Sequence, residues 1–128
     1  GYALEKMLDK IPAVWCVRSS ADTRRQYDHV FYDNSHVGEI AADYLIDRGH
    51  YNIGFVNMHP SHDVYSPRRE QFNRASRSRG VNVSIIERAA NEHFGSPVLD
   101  VRHLTERLLS LKPRPTGIAP GSNGAAGA

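Results

Sequence analysis

The chain has 128 residues, 40% of them hydrophobic and 23% charged, the balance of one ordinary soluble globular domain. Its 16 Lys and Arg are nearly matched by 14 Asp and Glu, so a net charge of +2 does not mark a nucleic-acid surface. The single cysteine, Cys16, cannot form an internal disulfide, and no segment reaches the ~20 apolar residues of a membrane span.

The elements follow in chain order. Leu4, Met7, Leu8 and Ile11 form one apolar face of a short helix, which Pro12 ends. Residues 13–17 are continuously apolar and predict a strand covered on both faces, with Cys16 as a small buried hydrophobe. Residues 18–27 are polar and arginine-rich and read as a loop, followed by a second strand from His29 to Tyr32. Val37, Ile40, Ala41, Tyr44 and Leu45 define a helix that Asn34 or Ser35 can cap and Gly49 can close. Residues 52–57 predict a buried strand, Met58 to Pro67 a loop, and Arg68 to Arg79 a helix ended by Gly80. Val81 to Ile86 alternates like a strand, and residues 87–99 are irregular. Asp100 can cap a last helix bearing Val101, Leu104, Leu108 and Leu109, closed by Pro113 and Pro115. Thr116 to Ala119 begins one more strand, and residues 121–128 are a low-complexity tail expected to be flexible. Strands alternating with helices predict an α/β fold with a Rossmann-like, mostly parallel sheet and flanking helices.

Open parallel sheets bind ligands beyond the carboxyl ends of their strands. That rule selects Val17-Arg18, Tyr32-Asp33-Asn34, Asn57-Met58-His59 and Ala119-Pro120. On a helical wheel Arg68 lies with Phe72 and Ala75, so its guanidinium faces inward in the first turn of its helix. Such a group needs an acceptor, either Asp33 or Asp63 in an internal ion pair or a ligand. Arg69, Arg74 and Arg77 point elsewhere and read as a solvated surface. Tyr32 is either a core residue or a flat surface for stacking a sugar or base. Asp33 is either an acid–base carboxylate or a strand-end group bound to ligand hydroxyls or backbone amides. His59 and His62 lie three apart in a loop, without the spacing of a metal site. No nucleophile elbow, phosphate loop or cofactor motif is present, so neither an enzyme nor a cofactor is expected.

One stretch adds more. Asp33-Asn34-x-x-x-Gly38-x-x-Ala41-Ala42-x-Tyr44-Leu45-Ile46-x-x-Gly49-His50-x-x-Ile53-Gly54-Phe55-Val56 resembles the central signature of LacI-type transcription regulators. Ile11-Pro12-Ala13-Val14, Arg68-x-x-x-Phe72-x-x-Ala75-x-x-x-x-Gly80 and Arg114-Pro115-Thr116-Gly117-Ile118 resemble further blocks of that family, in order, over residues 4–120. The resemblance implies part of a two-lobed type I periplasmic-binding-protein fold. Residues 1–32 would end one lobe's first segment, 33–120 would be a segment of the other, and 121–128 would be a tail.

It further implies a cytoplasmic, homodimeric regulator that binds a sugar or nucleoside-like effector. DNA would be bound through a headpiece absent from this chain, which is therefore expected to be a piece of a longer protein. Arg68 would anchor the effector, Tyr32 and Asp33 would line the cleft, and Arg18 and His62 would lie near it. The family often places an acidic residue where Val17 and Arg18 stand, so its usual sugar chemistry is not expected unchanged. An exported solute-binding protein of the same fold is the alternative; it would carry a signal peptide upstream instead of a helix-turn-helix.

Overall fold

The computed structural model describes residues 6, 10–12, 14–16, 28–30, 32–61 and 65–122. The first predicted helix falls largely outside this set, as do Arg18, His62 and residues 123–128. The chain divides into two compact units, Gly1–Asp33 and Asn34–Ala128.

In the first unit, strand β1 (Val14–Cys16) pairs in parallel with β2 (Asp28–Val30), Trp15 opposite His29. The second strand therefore starts one residue earlier than its sequence predicts and stops before Tyr32.

The second unit contains α1 (Asn34–Asp47), β3 (Asn52–Asn57), α2 (Tyr65–Ser78), β4 (Asn82–Glu87), α3 (Pro97–Leu109) and β5 (Gly117–Pro120). Its sheet is parallel, in the order β4-β3-β5. Asn52 pairs with Asn82 and Asn57 with Glu87 on one side, and Ile53 with Gly117 on the other. Both faces of β3 are buried, which is why its sequence shows no polar alternation. Ile53 and Phe55 pack under α1 and α2 with Ala42, Ile46 and Phe72. Val56 packs under α3 with Leu104 and Leu108. Gly54 lies against Leu108, where a Cβ would leave no room.

The two crossovers leave β3 and β4 in opposite directions along the sheet. Right-handed connections must then place their helices on opposite faces. Accordingly α2 packs with α1 on one face and α3 covers the other. Gly49 and Gly80 adopt φ of 85° and 72° just after α1 and α2, as the closing glycines predict. Among the described residues no helix is long and apolar enough to cross a membrane.

Four local readings change. Helix α2 begins at Tyr65, three residues before Arg68, because Pro67 fits the first turn, where its missing N–H has no helical partner anyway. Helix α3 is capped by Ser96, whose hydroxyl accepts the Leu99 N–H at 3.3 Å, with Pro97 opening the helix. Asp100, the expected cap, is 1% exposed and does other work. Gly121, placed in the flexible tail by sequence, is buried and donates its N–H to the Val56 carbonyl at 2.8 Å, extending the β5 edge. On the outer side of α1, Val37, Ile40 and Tyr44 are 39%, 53% and 54% exposed beside Ile118 and Pro120, around an apolar groove of about 420 Å³.

Candidate functional site

The loop after β3 turns toward the α2 face and the loop after β4 toward the α3 face. A crevice must open where adjacent connections part, beyond the carboxyl ends of the strands. A cavity of about 350 Å³ lies there, lined by His59, Pro60 and Ser61 from one loop and Arg88, Ala89 and Ala90 from the other.

Arg68 stands beside this rim in the first turns of α2. Its Nη2 donates to the Asn34 side-chain oxygen at 2.6 Å and its Nη1 to the Gly121 carbonyl at 2.9 Å. It thus ties the start of α1 to the end of β5. Asn34 serves this bond and is itself buried, at 7% exposure. Both of these acceptors are neutral, and Arg68 forms no ion pair among the described residues. Its Nε is buried and has no hydrogen-bond partner among the described residues. Buried unpaired donors are uncommon because each costs about 1–3 kcal/mol. Gly38 explains how Arg68 reaches this position. A side chain there would collide with the Arg68 carbonyl, so only glycine lets α1 and α2 approach this closely.

Tyr65 connects Arg68 with the crevice. Its ring centre lies 5.5 Å from the Arg68 guanidinium carbon and 5.5 Å from the His59 ring, the two rings stacked at 28°. On the far wall Arg88 donates from Nη1 to Asp100 at 3.2 Å, and its Nε is likewise buried without a partner among the described residues. Asp100 also accepts the Phe94 N–H at 2.7 Å and lies 3.0 Å from His93 Nδ1. The Phe94 N–H foremost, with His93 and Arg88, holds its carboxyl below the usual range although burial opposes this.

A second network stiffens the floor. Buried Asn57 donates to Glu87 at 3.0 Å and accepts the His59 N–H at 3.1 Å. Glu87 also accepts from Arg69 at 2.9 Å. Arg69 therefore is not the solvated residue its wheel position predicts. Its side chain is 27% exposed, and the bond to Glu87 raises its proton affinity.

Of the five residues singled out by sequence, Arg68 stands in the second unit. Tyr32 and Asp33 are exposed and belong to the first, Tyr32 at 61%, too open for a core residue. Arg18 and His62 lie outside the described residues. Sequence reasoning missed Arg88 and Glu87. The signal was present: they are the charged residues that directly follow the apolar pair Ile85-Ile86, at the one strand end left out of the strand-end rule.

No family model and no curated protein matches the chain. Solved structures do. A LacI family transcriptional regulator from Bifidobacterium animalis subsp. lactis superposes with a TM-score of 0.75 at 22% identity, over 97% of this chain and 43% of that one. A PurR family regulator from Vibrio parahaemolyticus gives 0.72 at 15%, over 98% and 48%. The Cra transcriptional dual regulator from Pseudomonas putida, in complex with fructose 1-phosphate, gives 0.68 at 17%, over 98% and 45%. The chain has the fold of these regulators and spans slightly less than half their length.

Proposed function

We propose that this chain is part of the effector-binding domain of a LacI-type transcription regulator, a sensor of a sugar or nucleoside-like molecule and not an enzyme. The observation that supports this most is Arg68: a guanidinium held by neutral partners at the strand ends, with a buried donor left over, in a fold shared with such regulators. In this reading Tyr32, Asp33, Arg18 and His62 also contribute to effector binding. Ligand binding would shift the domain between conformations, and a homodimer would pass that shift to a DNA-binding headpiece in the cytoplasm.

The regulator found with fructose 1-phosphate lends the small-molecule part some support. The test is a thermal-shift screen with sugars and nucleosides, neutral and phosphorylated. A true effector raises Tm in the parent, and Arg68→Ala removes the rise while circular dichroism shows the fold intact. An equal rise in parent and variant would refute the assignment of Arg68.

A further inference from the structure

We infer that the ligand of this site carries an oxyanion, a carboxylate or a phosphate, received in the β3–β4 crevice by the Nε–Nη2 edge of Arg88. This rests on the ligand-binding reading above and adds the charge of the ligand to it.

The guanidinium of Arg88 is turned so that Nη1 meets Asp100. By the geometry of the group, Nε and Nη2 then share the opposite edge, and among the described residues neither has an acceptor. Two parallel N–H donors match the two oxygens of a carboxylate or phosphate, whereas a single hydroxyl satisfies only one of them. Asp100 fixes Arg88 from behind, since it is itself held by the Phe94 N–H and His93. The orientation is therefore set before a ligand arrives.

The surroundings agree with that charge. The crevice is lined by one permanent cation and no carboxylate. The nearby Glu87 is engaged by Arg69 and Asn57. Ser61 offers a hydroxyl and His59 a ring, while Pro60, Ala89 and Ala90 leave the space open. A cavity of about 350 Å³ is large enough for an anionic head group and part of its body. His59 of the crevice wall stacks on Tyr65, whose ring lies 5.5 Å from the Arg68 guanidinium carbon, so a second arginine with a leftover Nε donor stands behind that wall.

The test titrates the chain with inorganic phosphate and, separately, with acetate, against chloride at equal ionic strength, followed by calorimetry. Arg88→Lys keeps the charge and the reach to Asp100 but loses the paired edge. Arg102→Lys, on the exposed side of α3, is the control. The expected result is binding of at least one oxyanion above the chloride baseline, weakened roughly tenfold by Arg88→Lys and unchanged by Arg102→Lys. A response to phosphate alone identifies a phosphorylated ligand, and one to acetate alone a carboxylate. Absence of any response above chloride, or an affinity for Arg88→Lys within about twofold of the parent, overturns the inference. A neutral ligand lost on Arg68→Ala, without an oxyanion response, defeats this inference and spares the reading it rests on. An oxyanion lost on Arg88→Lys, with no ligand dependent on Arg68, does the reverse.

Discussion

The two ends of the second unit's sheet are built on different terms. At the amino end the polar groups lie near solvent and are matched, and the charged Arg79 there is paired with Asp43 and Asp47 at 3.0 and 2.8 Å. Asn82 donates to Asn52 at 2.7 Å, Asn52 donates to the Pro113 carbonyl at 3.0 Å, and His50 meets the Thr116 hydroxyl at 3.0 Å. At the carboxyl end the groups are charged, partly or wholly buried, and not all matched. Asp100, Glu87, Arg68, Arg69 and Arg88 crowd there, with two arginine Nε atoms lacking acceptors among the described residues. The first arrangement ties strands together at little cost. The second leaves buried donors unmatched at a cost in folding stability, a departure from packing rules that binding sites commonly show.

The contrast can be broken most severely at Asp100. Asp100→Ala leaves the Phe94 N–H unpaired and Arg88 without its partner, and should lower Tm by roughly ten degrees or more in calorimetry. The pH dependence follows from the lowered carboxyl. Its stabilising contribution is complete above the ordinary value of 3.8 and is lost as pH falls through the lower folded value. Acid melts of Asp100→Asn should therefore fall less steeply below that value than those of the parent. Equal slopes would mean that Asp100 does not stabilise the fold through its charge.

Next is Gly38→Ala. Alanine favours a helix by about 1 kcal/mol, yet the methyl group meets the Arg68 carbonyl, and overpacking of this kind costs about 1–3 kcal/mol. The expected net result is lower stability by denaturant titration, together with weaker ligand response because Arg68 is displaced. A gain in stability would show that the helices part without penalty. The smallest effect belongs to the amino end. Asn82→Ala removes one exposed hydrogen bond and should cost less than about 1 kcal/mol, with ligand response unchanged. A large loss there would erase the difference between the two ends.

Much of the framework was legible along the chain. β3 was read at its observed limits, and α1 and α2 end at glycines that local rules identify. Arg68 was legible because its inward position follows from the helical repeat alone. Arg88 was not, because nothing local separates a strand-end arginine held over a crevice from one in a polar loop. Asp100 was misread for a related reason. An acidic residue ahead of an apolar stripe looks like a helix cap, but Ser96 and Pro97 start the helix a turn earlier and carry Asp100 into the interior.

Gly38 shows the same division from the other side. As part of a sequence signature it pointed to the LacI-type resemblance without a reason. The reason is the approach of two helices, which depends on residues thirty positions apart.

What the sequence determines by itself is therefore the alternation of strands and helices, and the inward turn of Arg68, since both depend on periodicities of a few residues. What only the tertiary structure decides is the crevice and its second arginine. These arise because right-handed crossovers send adjacent loops to opposite faces of the sheet, and because Asp100, twelve residues beyond Arg88, returns to hold it in place.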